Sequence, residues 1–290
     1  MFKVLVLSLF IFSPLLGQKA LAEIDFKAVK QSAELSSASY DSPEKIKQSL
    51  QATGYKVIHH AELPGSAVSY YLAQSATGMQ QLAFRGTANL ENVLVDLDVS
   101  LLPDSNLGIQ LHQGFALAAK AAYNDALVHI DKSQPIRTTG HSLGGAIAVI
   151  VGMYLQQDGY PLDRIITFGQ PKVTNVTGAG KFESLPLTRV VTPTDIVPLV
   201  PPLSPLQIKD LDIYWHNGVE VILVAEQQYA VVQGLKSMMR ATKFVSALPS
   251  EESLQAHQMA TYLRFINSNQ QQAEEVPYQT GLSLFGMSFD

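Results

Sequence analysis

The sequence predicts an α/β fold, with a mostly parallel central sheet, helices on both faces and a single domain. Three observations predict it. Short strand-like runs alternate with helical patterns through the middle of the chain, and no long linker interrupts them. The 290 residues are also 47% hydrophobic, ample for one large core.

Residues 26–50 favour helix and break at Ser42-Pro43, where a second helix is expected to begin because proline suits a first helical turn. Strand-like runs follow at 56–60, 67–74 and 80–85, separated by Pro64-Gly65 and Ala76-Thr77-Gly78. They read as a meander running into the central sheet. An alanine-rich helix is expected over 116–130, a strand over 136–139, and a strongly apolar helix over 143–157 that stops at Asp158-Gly159. Strands at 163–168, 187–192 and 219–224 and a helix at 253–266 complete the pattern. The tail from Asn267 is polar, turns apolar at 282–289, and fits no element.

Composition excludes several functions. Acidic residues outnumber lysine plus arginine 25 to 20, and no basic run appears, so nucleic acid is not an expected partner. The absence of cysteine removes disulfides, thiol nucleophiles, Cys-ligated zinc and iron–sulfur clusters together. Residues 178–182 run Gly-Ala-Gly-Lys-Phe, but Asn175 and Phe182 occupy positions where a phosphate loop needs glycine and serine or threonine.

Residues 1–22 join Lys3, a short apolar run broken at Ser13-Pro14, and Ala20-Leu21-Ala22, a small-x-small cleavage site. This is the pattern of a cleaved signal peptide, and the run is too short to span a bilayer unaided. The alternative is a buried amino-terminal helix. Export, to the periplasm or outside the cell, is the expectation, with residues 23–290 as the mature domain and no second long apolar segment.

Chemistry enters at Gly140-His141-Ser142-Leu143-Gly144, a G-x-S-x-G placed between an expected strand and an apolar helix. A turn that tight forces its serine into strained backbone, and glycines on either side leave room because they carry no Cβ. A serine hydroxyl needs a base, and the base needs an orienting carboxylate, in the chain order serine, acid, histidine. Asp195 directly follows an expected strand, where sites in open α/β sheets are built. Asp210 and Asp212 fall in a polar loop without that placement. His216 and His257 both lie downstream, and spacing alone does not choose between them.

Several spaced segments resemble one family. Gly140-His141-Ser142-Leu143-Gly144-Gly145-Ala146 is similar to the nucleophile elbow of the class 3 lipases, which include fungal triacylglycerol lipases. Phe84-Arg85-Gly86-Thr87, His112-Gln113-Gly114-Phe115, Thr167-Phe168-Gly169-Gln170-Pro171 and Asp195-Ile196-Val197-Pro198 resemble further segments of that family. The resemblance implies an α/β-hydrolase-type fold with Ser142 as nucleophile, Asp195 as acid, and Thr87 and Leu143 as oxyanion residues. His257, in His257-Gln258-Met259-Ala260-Thr261-Tyr262-Leu263, is similar to the family's H-x-x-Y-[F/L] base segment. His216 matches a structural H-x-G-x-E turn. His59, His60, His112 and His129 read as structural or surface residues, and His141 as a packing residue of the elbow.

The resemblance further implies an ester or lipid substrate, acylglycerols first, with no metal or organic cofactor. A phospholipase A1, or a non-catalytic lipid-binding protein on the same scaffold, are the alternatives. Residues 89–98 match the position of a lid helix. Leu90, Val93, Leu94 and Leu97 share one face, as a lid or an ordinary surface helix both require. Val93 replaces a frequent lid tryptophan, and Lys172 and Thr174 replace the arginine and glycine usual after Pro171.

Overall fold

The computed structural model describes residues 23–65, 68–87, 100–202, 213–234, 236–237, 240, 250–278, 283–284 and 287–288. The expected signal peptide at 1–22, the lid at 89–98, and Asp210 and Asp212 lie outside the described residues.

One sheet has nine strands: β1 (Tyr55–Leu63), β2 (Val68–Ser75), β3 (Gln80–Phe84), β6 (Ile136–His141), β7 (Leu162–Phe168), β9 (Leu187–Val191), β11 (Val219–Ala225), β12 (Gln228–Val232) and β13 (Glu274–Glu275). They lie in that spatial order. β1, β2 and β3 form the expected antiparallel meander. β3, β6, β7, β9 and β11 are parallel, which makes them the centre of an α/β sheet. A second sheet has the order β10 (Tyr214–Trp215), β8 (Thr174–Asn175), β5 (Ile109–His112), β4 (Leu101–Asp104). Its strands of two to four residues carry too little alternation to read from sequence. β14 (Ser283–Leu284) and β15 (Met287–Ser288) pair within the tail.

Both faces of the sheet are covered, as alternation along a strand requires. Tyr70, Leu72, Leu82, Phe84 and Ile165 pack with helices α3 (Gln113–Ala126) and α4 (Leu143–Gln157). Tyr71, Ala73 and Ala83 face the other way, onto α1 (Phe26–Ala38) and α2 (Pro43–Ala52). Farther along that face, Ile166, Phe168 and Val190 meet α1 and Met259, Tyr262 and Ile266. α4 is buried from Gly144 to Leu155, so its apolar residues continue all round rather than in a stripe. α5 (Val176–Lys181) follows β8.

Two boundaries differ instructively from the sequence reading. α3 begins at Gln113 instead of 116, because the His112 ring accepts from the Phe115 N–H (3.4 Å) and caps the helix. The helix expected over 253–266 is two, α6 (Glu251–His257) and α7 (Met259–Gln271), divided at Gln258, whose ψ of 137° is extended. No helix of the described residues is long and apolar enough to cross a membrane.

Candidate active site

Ser142 stands between the end of β6 and the start of α4 with φ 58° and ψ −130°. A non-glycine residue held there carries strain of about 1–3 kcal/mol that the surroundings must offset. They do so by close packing. A Cβ on Gly140 would meet the Gly144 carbonyl, and one on Gly144 would meet the Phe84 carbonyl, so larger residues would push α4 off the sheet. The Ser142 N–H donates to the Phe168 carbonyl (2.9 Å), and its own carbonyl accepts from Gly145 N–H (2.9 Å). Leu143 is the first residue of α4, where backbone N–H groups have no helical acceptor and the helix dipole favours negative charge. Thr87 follows β3, and a Cβ on its neighbour Gly86 would lie 3.1 Å from the Ser142 Cβ. Leu143 thus follows the serine directly, and the backbone just before Thr87 packs against it.

Asp195, fully buried, lies just past β9. Its Oδ2 accepts from His257 Nδ1 (2.9 Å) and from the Tyr262 hydroxyl (2.5 Å), and its Oδ1 from the Val197 N–H (2.9 Å). Burial alone would raise this carboxyl. The His257 ring and these three donors outweigh burial and hold it below the usual carboxylate range. Gly169 makes room for the pair: at φ +55°, a Cβ there would lie 2.8 Å from both Asp195 Oδ2 and His257 Cε1. Because Phe168 binds the Ser142 N–H and Gly169 abuts the Asp195–His257 pair, one short segment joins serine to pair. His257 Nε2 is buried with no hydrogen-bond partner among the described residues. Catalytic hydrogen bonds commonly close only when substrate is bound.

The histidines separate cleanly. His216 donates from Nε2 to the Pro198 carbonyl (2.6 Å) and makes no bond to Asp195. His59 bonds Asp125 (3.0 Å) and stacks on His129 at 3.7 Å, while His112 serves as the cap already described. His141, expected only to pack, uses both ring nitrogens in hydrogen bonds. Lys172 is buried and donates to the Leu199 and Pro201 carbonyls (2.6 and 2.8 Å), fixing the loop beyond Asp195. Thr174 lies in β8 of the second sheet and donates to the Gln110 carbonyl (2.6 Å).

Sequence reasoning missed the role of Tyr262. It lies five residues beyond His257, whereas the resemblance implies three. On an unbroken helix those side chains would point about 140° apart. The extended Gln258 resets the phase, so both reach Asp195. Among the described residues no group of three or more His, Cys, Asp or Glu could hold a metal ion.

A parallel sheet with a strand–serine–helix turn and a buried carboxylate–imidazole pair beside it defines a protein of the α/β-hydrolase fold, with helices on both sheet faces. The family model described as Lipase (class 3) matches residues 81–204, less than half of the chain. A lipase of Rhizopus niveus is 35% identical over 136 residues, which are 42% of this chain and 35% of the fungal one. A secreted mono- and diacylglycerol lipase of Fusarium solani is 31% identical over 163 residues, covering 52% and 47% respectively. The chain therefore spans less than half the length of these curated relatives. The Rhizomucor miehei lipase propeptide complex superimposes with a TM-score of 0.59 at 25% identity, over 68% of this chain and 67% of that one.

Proposed function

We propose that the chain is an exported serine carboxylic-ester hydrolase acting on acylglycerols. Ser142 is the nucleophile, His257 the general base and Asp195 the acid that orients it, with the backbone N–H groups of Thr87 and Leu143 as the oxyanion hole. The observation that carries this reading is the buried Asp195–His257 pair beside a serine strained to φ 58°.

His257 takes the Ser142 proton as the hydroxyl oxygen attacks the ester carbonyl. Thr87 and Leu143 stabilise the oxyanion, each such donor contributing about 2.7–4 kcal/mol. The alcohol leaves with the proton returned from His257, and water then hydrolyses the acyl-enzyme by the same route. The acylglycerol substrate is supported by the names of the relatives. Export is supported by the signal-like pattern of residues 1–22 and by the secreted Fusarium relative. Residues 89–98 form the lid in this reading.

Hydrolysis of p-nitrophenyl esters from acetate to palmitate, native beside Ser142→Ala, below and above substrate aggregation, tests it. Long-chain turnover that rises on aggregation and disappears in the variant is expected. Turnover limited to short soluble esters would remove the lid. Absence of Ser142-dependent turnover on these esters and on acylglycerols would overturn the reading, in favour of phospholipid substrates or a scaffold that only binds.

A further inference from the structure

His141 closes β6 and directly precedes Ser142. Its Nε2 lies 2.6 Å from the backbone carbonyl oxygen of His257. A carbonyl only accepts, so Nε2 carries the proton and donates. Nδ1, bare in the neutral ring, lies 2.8 Å from the Tyr40 hydroxyl and accepts from it. Burial, aided by the neighbouring His257, lowers the His141 pKa to about 3, so this neutral tautomer persists through the range in which a serine hydrolase works. The His141 and His257 rings stand 4.4 Å apart between centroids, with 34° between their planes.

The His257 carbonyl is available because the helix breaks there. In a continuous helix it would accept from Thr261 N–H. That N–H instead meets the Gln258 carbonyl at 2.9 Å. A buried carbonyl released from the helical ladder needs another donor, and His141 supplies one. Tyr40, reaching in from beyond α1, touches a second catalytic segment. A Cβ on Gly86 would fall on its hydroxyl, and Gly86 precedes Thr87. Burial pushes the Tyr40 phenol up to about 12, opposed in part by the Gly86 amide.

We propose that the Tyr40–His141 pair positions His257 by its backbone carbonyl and ties it to the oxyanion segment at Gly86–Thr87. The proposal rests on the serine-hydrolase reading. Asp195 orients the His257 ring through Nδ1, whereas His141 fixes where the backbone bearing that ring stands. Both constraints are needed, because a displacement near 1 Å in such a site lowers the rate by about 10²-fold.

His141→Phe keeps a ring and removes both hydrogen bonds. His141→Gln restores an N–H near the place of Nε2, and Tyr40→Phe removes only the donor to Nδ1. Each is compared with the native chain by turnover of a short soluble p-nitrophenyl ester per site titrated with a fluorophosphonate. Proton NMR of the downfield His257 Nδ1–H gives a readout independent of turnover. For His141→Phe we expect kcat to fall about 10²-fold with KM near native, and the downfield resonance to vanish. His141→Gln should recover most of the rate and the resonance, and Tyr40→Phe should fall between. If His141→Phe keeps kcat within about twofold and keeps the resonance, the proposal is wrong, even where thermal stability drops. Should His141→Phe fail to fold, Tyr40→Phe decides by the same two readouts. If the native chain shows no Ser142-dependent turnover, the hydrolase reading fails, and the resonance alone then decides whether His141 holds His257.

Discussion

Among the described residues, nearly every buried polar atom around Asp195 has a partner; around Glu220, on neighbouring strands, several do not. In the first cluster one carboxylate takes three donors and His141 uses both nitrogens, and the atom left over is His257 Nε2. In the second, Lys172, Arg189 and Arg240 share a single buried carboxylate, Glu220, among the described residues. Arg189 Nη1 and Arg240 Nε approach it only to 3.8 and 3.5 Å, and both atoms, with His216 Nδ1, lack hydrogen-bond partners among the described residues. Burial pulls Lys172 down to about 7 and Arg189 to about 10, as expected where positive charge exceeds negative. The first cluster fixes orientation and leaves one atom free for chemistry. The second holds β9 and β11 by charge, at a standing cost. Thr192 joins them, its carbonyl accepting from Arg240 and its hydroxyl donating to the Ala256 carbonyl.

The contrast breaks most sharply at Asp195→Asn. The amide keeps the shape but has one accepting oxygen in place of two. Its NH2 must face either the Val197 N–H or the His257 Nδ1–H and Tyr262 donors, and in the second arrangement the imidazole loses its tautomer. Turnover of a soluble ester should fall by about 10⁴-fold while the unfolding midpoint moves little. A variant that retains a tenth of native turnover would show that this cluster does not orient the base. Glu220→Gln should do the reverse. It leaves buried cations without their carboxylate and should cost about 3–5 kcal/mol of stability, measured by urea unfolding, with turnover near native. A loss below about 1 kcal/mol would mean that the second cluster is solvated or discharged in the native state.

The two clusters were not equally legible in the sequence. The elbow shows because its glycines flank the serine at a fixed spacing between strand and helix, although Gly144 answers to the Phe84 carbonyl on β3, and Asp195 shows because it sits at a strand end. His257 needed the family resemblance, since nothing local separates it from His216. The break at Gln258 carries neither glycine nor proline, so the helical pattern runs through it unmarked. It is made by contacts distant in sequence, with His141 bonding a carbonyl 116 positions away. Tyr40 and Tyr262 were hidden for the same reason, as were Arg189 and Arg240, the partners of Glu220, which closes the structural H-x-G-x-E turn at His216. The second sheet was invisible because two-residue strands have no period to detect.

The smallest effect separates the clusters by proton uptake. Native His141 stays neutral down to about 3, whereas an unfolded histidine titrates near 6.5. Between these values the unfolded chain binds one more proton than the native one at this position, so acid favours unfolding. The contribution is complete above pH 6.5 and is lost progressively as pH falls toward 3, at up to about 1.4 kcal/mol per pH unit. His216, lowered well below its ordinary value by burial and by Arg189 and Lys172, adds a slope of the same sign. Replacing His141 with glutamine removes the first contribution and leaves the second, so the stability slope between pH 4 and 6 should become shallower by nearly one proton in urea unfolding. An unchanged slope would mean that His141 is protonated in the native state near neutrality. Its Nδ1 would then carry a proton facing the Tyr40 hydroxyl, and the direction of that hydrogen bond would reverse.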